Sequence, residues 1–169
     1  MSIFFYGCVT LDGYLAGKDH NLDWLYETGC VEETGYSAFY RAMDITLMGR
    51  RTFCELSRSG DPASVYPTTQ NYVFTHREFA QAGFTPVNCG VAPFTKRLGT
   101  DKNIWVIGGN TILAPLLNQN LVDHLILQIA PVLLGDGIPL FSQDEALRRF
   151  QLEEVRRYGQ FAELVYRKA

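Results

Sequence analysis

The feature that most constrains this chain is a junction: the apolar run Ile104-Trp105-Val106-Ile107 passes directly into Gly108-Gly109 and then into Asn110-Thr111. The run reads as a buried strand, and two glycines without Cβ atoms let the backbone turn sharply and come close to a ligand. Asn110 or Thr111 caps the helix expected next, and a helix N-terminus favours anions, so the junction suits phosphate and the expected ligand is a nucleotide. An ordinary strand-to-helix turn is the other reading of the same residues, although one glycine usually satisfies it.

The 169 residues fit one domain spanning 1–169, long enough to bury a real core. Hydrophobic residues make up 47%, charged residues 20%, and the formal charge is -3, without the basic excess that nucleic-acid binding requires. No apolar run approaches the roughly 20 residues of a membrane span, and the amino terminus lacks a basic segment followed by an apolar core. No membrane partner is expected, and the cytoplasm is the expected compartment. Cys8, Cys30, Cys54 and Cys89 form no C-x-x-C pair and only His20, His76 and His124 accompany them, so no metal site is expected.

Strands are expected over 3–9, 45–48, 71–75, 86–88 and 104–107, alternating with helices over 36–43, 50–56, 93–98 and 111–117. Strands alone follow, over 124–130, 150–156 and 161–166, and read as an antiparallel meander. This order predicts an α/β fold with a mostly parallel central sheet closed by antiparallel C-terminal strands, binding its ligand at strand carboxyl ends. Residues 121–134 are long, apolar and poor in charge; left at a sheet edge they would invite pairing, so a homodimer is expected.

Met48-Gly49-Arg50-Arg51-Thr52 repeats the strand–glycine–helix logic. Two arginines in a first helical turn are electrostatically misplaced by a few tenths to about 1 kcal/mol each, which an anionic ligand would reverse; solvated arginines are the alternative. Strand 71–75 ends in Thr75-His76-Arg77 with no acid at its tip to read a ribose 2′-hydroxyl. Thr, His and Arg suit the extra phosphate of NADPH over NADH, although Glu78 is close. Gly135-Asp136-Gly137 imitates half a dinucleotide fingerprint, but no helix follows and Asp136 would repel a pyrophosphate, so it reads as a structural turn. Asp12-Gly13 ends the first strand at the same rim. Asp12 is either a substrate-side carboxylate or a turn residue capping backbone N–H groups. Trp24 and Tyr36 are either aromatic walls for a substrate or core residues, and Glu32-Glu33 either offer carboxylates or complement a helix dipole.

In order, 9–17, 48–52, 104–109, Leu121-Val122-Asp123 and 130–141 resemble the dihydrofolate reductase superfamily, and more closely its branch related to the C-terminal reductase domain of the bifunctional riboflavin-biosynthesis protein. The last block marks that branch. The resemblance implies a dihydrofolate reductase-like three-layer fold, with helices on both faces of the sheet, and NADPH as hydride donor. It implies Gly49, Arg50, Arg51, Thr52, Thr75, His76 and Arg77 at the adenosine end, and Ile107, Gly108, Gly109, Asn110, Thr111 and Ile112 at the pyrophosphate. Cys8 and the Leu15-Ala16 backbone would flank the nicotinamide, and the Gly108-Gly109 peptide would be cis. The implied activity is reduction of a small heterocyclic or sugar-like substrate, similar to 5-amino-6-(5-phosphoribosylamino)uracil reductase. Beside it, the residues themselves offer Asp12 to orient substrate or a proton-delivering water, Trp24 and Tyr36 as aromatic walls and Glu33 as a substrate-side carboxylate.

Two departures qualify it. Dihydrofolate reductases place a substrate-binding carboxylate in the first helix, where 36–43 offers only Arg41; Glu33 approximates that place. The zinc-binding His and Cys signature of the deaminase half is absent from this sequence. Dihydrofolate reduction and a non-catalytic NADPH-binding module stand as alternatives.

Overall fold

The computed structural model describes residues 1–29, 34–58 and 60–169. Its elements are β1 (Ser2–Thr10), β2 (Tyr14–Ala16), α1 (Asp23–Thr28), α2 (Tyr36–Arg41), β3 (Ile45–Gly49), α3 (Arg50–Arg58), α4 (Pro62–Val65), β4 (Gln70–Phe74), β5 (Phe84–Val87), α5 (Val91–Thr95), β6 (Asn103–Gly108), α6 (Asn110–Asn118), β7 (His124–Ala130), β8 (Ile138–Pro139), β9 (Phe150–Tyr158) and β10 (Phe161–Lys168).

An eight-stranded sheet runs in the order β5-β4-β3-β6-β1-β7-β10-β9, and β2 pairs with β8 in a small second sheet. The strands from β5 to β7 are mutually parallel, and β10 and β9 close the sheet antiparallel. Helices cover both faces, giving the expected three layers. On one face Ile112, Leu113 and Leu116 of α6 and Val91 and Ala92 of α5 pack on Ile3, Phe5, Leu47 and Val106. On the other, Phe53 of α3, Tyr66 and the half-buried Phe39 of α2 pack with Tyr6, Met48 and Trp105. The period-two alternation of a strand explains the split along β1, where Ile3, Phe5 and Val9 serve the first face and Tyr6 and Cys8 the second.

The expected C-terminal meander is not what forms. β7 lies inside the sheet, parallel to β1 and antiparallel to β10, while β9, the strand that follows it along the chain, stands at the edge. Burial decides the order. β10 brings Phe161 and Glu163 into the interior, whereas every residue between the ends of β9 is exposed, so the polar strand takes the rim. With β7 enclosed, the argument for a homodimer from an exposed edge at 121–134 falls.

A buried polar chain crosses this end of the sheet. Gln128 Nε2 donates to the Tyr6 hydroxyl at 2.8 Å and to Glu163 Oε2 at 3.0 Å, and Arg156 Nη1 meets Glu163 Oε1 at 3.2 Å. Glu163 is 0% exposed, so these partners are what make its burial tolerable.

Candidate functional site

The parallel strands deliver their carboxyl ends to one rim, and the register fixes what stands beside what. Gly49 pairs with Phe74 and Met48 with Gly108, so the strand–glycine–helix junctions of β3 and β6 lie side by side. A Cβ built on Gly49 would come to 3.9 Å from the Gly108 carbonyl, whereas one on Gly108 or Gly109 would meet nothing within 4 Å. The two glycines therefore face open space, and a ligand can approach their backbone. The Gly108-Gly109 peptide is cis, as the resemblance implied. Gly109, not Asn110 or Thr111, is the N-cap of α6, and no side chain caps the helix. The correction has a plain cause: Asn110 Nδ2 is turned to the Pro139 carbonyl at 3.0 Å, leaving the first N–H groups of the nine-residue helix uncapped by a side chain.

Beside β3, Thr75 N donates to the Val87 carbonyl at 2.9 Å, holding the end of β4 against β5. Thr75 Oγ1 accepts from the Arg77 backbone N–H at 3.0 Å, and His76 Nδ1 lies 2.7 Å from Asn88 Oδ1. These turns form the shared wall of two clefts. One, about 870 Å³, is lined by Thr75, His76, Asn88, Lys96, Thr111 and Ile112 among others. The second, about 540 Å³, is lined by Arg50, Arg51, Arg58, Thr75, His76 and Arg77 together with Glu55. Glu55 is the acid there and pairs with Arg58 at 2.6 Å.

Arg50 and Arg51 part company. Arg50 places its guanidinium 5.4 Å from the centroid of Phe79, and its Nη1 is buried with no hydrogen-bond partner among the described residues. A buried donor left unmet is costly, and the face of Phe79 offsets part of that cost for the guanidinium. Arg51 extends outward, with Nη1 3.5 Å from His20 Nδ1. Thr52 is placed elsewhere: it lines a third cleft of about 500 Å³ with Asp19, His20, Asn21 and Asp23.

At the far end of the rim Asp12 proves occupied. Its Oδ1 accepts from the Thr10 hydroxyl at 2.6 Å and from Leu134 N at 3.3 Å, and its Oδ2 from Gly135 N at 2.7 Å. The Thr10 hydroxyl first, then those backbone N–H groups, hold its carboxyl below the ordinary value. Of the two readings left open for Asp12, capping of backbone N–H groups is what its carboxylate does. Gly135-Asp136-Gly137 is the structural turn expected. Asp136 pairs with Lys18, and any Cβ on Gly137 would collide with the Ala16 carbonyl, so β2 and β8 can close only on glycine. Leu15 and Ala16 thus lie in a strand latched to the end of β1.

Cys8 and Trp24 share a small apolar cluster with Ala130 and Phe161. Burial pushes the Cys8 thiol up to about 12, which keeps it neutral near pH 7. Trp24 is buried, and its Nε1 has no partner among the described residues. Tyr36 stacks on Tyr40 at 6.1 Å and meets Trp105 edge-on at 5.8 Å, so it belongs to the aromatic packing around α2; burial pushes its hydroxyl up to about 12. Ile107 is packed against the same cluster. Glu33 lies outside the described residues.

Sequence reasoning missed Asn88, Lys96, Asn118 and Gln119, which line the larger cleft. They come from a turn after β5 and from the C-terminal ends of α5 and α6, Lys96 and Gln119 lying just past the last helical residues, where no local pattern announces a ligand.

Residues 94–162 match the RibD C-terminal domain family. Uncharacterized protein YwjB of Bacillus subtilis (strain 168) is 34% identical over 168 residues, 97% of this chain and 96% of that protein. The crystal structure of the "Putative riboflavin biosynthesis protein" of Shewanella sp. PV-4 superposes with a TM-score of 0.86 at 24% identity, covering 100% of this chain and 99% of the other. The Thermotoga maritima diaminohydroxyphosphoribosylaminopyrimidine deaminase/5-amino-6-(5-phosphoribosylamino)uracil reductase superposes with a TM-score of 0.70 at 13% identity, covering 99% of this chain and 56% of that longer one.

Proposed function

Because this chain belongs to the RibD C-terminal domain family, a branch of the dihydrofolate reductase superfamily, we propose that it is an NADPH-dependent reductase of a small heterocyclic or sugar-like substrate. The observation that carries this reading is the pairing of the Gly49 and Gly108-Gly109 junctions beside a cleft lined by Arg50, Arg51, Arg58 and Arg77. An anionic, extended ligand fits both features, and the residues present suit NADPH.

Bound there, NADPH would supply a hydride to a polarised C=N or C=O carbon. The chain's own part is positioning. Uncapped N–H groups of α6 and the open Gly108-Gly109 backbone hold the pyrophosphate, while Arg50, Arg51 and Arg77 with Thr75 and His76 hold the adenosine and its 2′-phosphate. The larger cleft, with Asn88 and Lys96, takes the adenine. Cys8, Leu15 and Ala16 border the nicotinamide; a neutral thiol adds no charge beside the ring. The latch through Asp12 fixes that border, and Trp24 stands as an aromatic wall behind it. The chemistry is similar to that of 5-amino-6-(5-phosphoribosylamino)uracil reductase, and the chain acts as one unit, in the cytoplasm.

One observation favours a second reading. Both oxygens of Asp12 are committed, to the Thr10 hydroxyl and to the Leu134 and Gly135 N–H groups, which suits an NADPH-binding module without turnover. Dihydrofolate reduction is less favoured, since α2 has no acidic residue in its first turn.

Calorimetric titration of the wild type and of Arg51→Ala and Arg77→Ala with NADPH and NADH tests the assignment. Each substitution is expected to weaken NADPH by about tenfold to hundredfold, from about 1.5–3 kcal/mol per hydrogen bond to a charged group, and to leave NADH nearly unchanged. Equal losses for both, or no association with either, would overturn it. NADPH oxidation across pterin, aminopyrimidine and carbonyl compounds then separates the reductase from the module.

A further inference from the structure

The loop after β2 carries a residue to which the coenzyme site assigns no part. His20 has a φ of 67° and, with Asn120, is one of two non-glycine residues at positive φ among the described residues. Histidine enters the left-handed region only at some cost, so the surrounding chain must hold it there. A tight turn does so: His20 N donates to the Gly17 carbonyl at 2.9 Å and Gly17 N to the Asn21 carbonyl at 3.1 Å. Asn21 locks the turn, accepting from Asp23 N on Oδ1 and donating from Nδ2 to Asp23 Oδ2, each at 2.6 Å.

The turn presents the imidazole to a helix far along the chain. His20 Nδ1 lies 3.5 Å from Nη1 of Arg51, in the first turn of α3. The same loop is tied to the other glycine junction, since it leaves β2, β2 pairs with β8, and the Pro139 carbonyl of β8 accepts from Asn110 at the start of α6. Residues 17–21 therefore bridge the interval between the Gly108-Gly109 junction and the arginines that follow Gly49.

Charge decides what fits beneath that bridge. Around the ring, Asp19 accepts from Asn21 N, Asp23 is held by the Asn21 amide, Lys18 pairs with Asp136 and Glu55 pairs with Arg58. Asp19, Asp23, Glu55 and Arg58 line the third cleft with His20, as does the Tyr26 phenol. Arg51 is the charged partner within hydrogen-bond reach of the ring among the described residues. A neutral imidazole can accept from Arg51, whereas an imidazolium and a guanidinium at that distance repel each other. An anion set against both turns the repulsion into charge-assisted hydrogen bonds, and a phosphate, with acceptor oxygens on several sides, suits two donors arriving from separate elements.

We propose, resting on the coenzyme assignment above, that His20 and Arg51 form a two-sided receptor for a phosphate of the coenzyme, with His20 binding as the imidazolium. Its contribution is present while the ring is protonated and is lost as the ring becomes neutral with rising pH.

Calorimetric titration of the wild type and of His20→Asn with NADP+ and NAD+, in phosphate-free buffers from about pH 5.5 to about pH 8.5, tests it. The oxidised coenzymes carry the same phosphates and survive acid. Asparagine tolerates the left-handed backbone but takes no proton, and cooperative thermal unfolding shows that the variant is folded. The ratio of the two affinities at each pH cancels titration of the ligand and of His76. His20→Asn is expected to bind NADP+ about tenfold more weakly at about pH 5.5 and to come within about twofold of the wild type at about pH 8.5. The same ratio with NAD+ places His20 at the pyrophosphate, and a ratio confined to NADP+ places it at the 2′-phosphate. A ratio that does not change with pH for either coenzyme overturns the receptor and leaves the coenzyme reading standing. A wild type that binds neither coenzyme at any pH overturns both.

Discussion

Asp12 shows how one residue type supports two readings that only geometry separates. An Asp-Gly pair at the end of a strand is equally a turn and a catalytic rim, and the sequence holds no sign that residues 134 and 135 return to meet it. The structure brings them there, and the carboxylate spans Thr10, Leu134 and Gly135. Its pH behaviour follows. A carboxyl whose folded pKa is depressed contributes fully above its unfolded value and loses that contribution as pH falls through the folded one. Amide protection at Gly135 is therefore expected to hold from neutral pH down past the ordinary 3.8 and to fall only below it. In Asp12→Asn protection should be weak at every pH. Exchange measured by NMR checks both; loss of wild-type protection already near neutral pH would contradict the latch. Cys8 was harder to place from sequence. A cysteine in an apolar strand reads as a buried thiol whatever its neighbours, and its nearness to Trp24 comes from a contact between β1 and α1 that no periodicity encodes.

At the scale of elements, the long segments were legible and the short ones were not. Strands β1, β3, β4, β6 and β7 and helix α6 announce themselves through apolar runs, and glycine punctuates the ends of β3 and β6. β2 and β8 have three and two residues, too few for alternation to register, yet they latch the first loop to the end of β1. Gly137 is the residue this latch most depends on, since any Cβ would strike the Ala16 carbonyl. Gly137→Ala is expected to push β8 off β2 while sparing the sheet. NADPH affinity should fall several-fold through the nicotinamide border, while urea unfolding changes by about 1–3 kcal/mol, the usual cost of overpacking. A variant indistinguishable from wild type in both would show that the latch matters little. The order of the last strands is hidden for a related reason: adjacency along the chain suggests a meander, but the buried Glu163 and Phe161 draw β10 inward past β9.

For the whole molecule, the alternation of strands and helices was enough to place the sheet, its parallel sense and its binding rim. The clefts were not, because Asn88, Lys96 and Arg58 reach them from separate elements. Ligand linkage is the measurement suited to this scale. NADPH at about a hundred times its dissociation constant is expected to stabilise the fold by about 2.7 kcal/mol, raising Tm by roughly 5–10 °C for a chain of this size. Scanning calorimetry with NADPH and NADH checks it, and no shift with either would remove the coenzyme from the account.

The strand order also governs how the sheet can be completed. Among the described residues β9 touches the sheet through β10 alone, and β10 is synthesised after it. β9 cannot therefore be added by itself: it has nowhere to attach until the hairpin at residues 158–161 has turned back and β10 stands against β7. Until that happens the apolar flank of β7 stays open to any passing strand, and the interval before docking is the stage of assembly at which this protein is most exposed to misassociation.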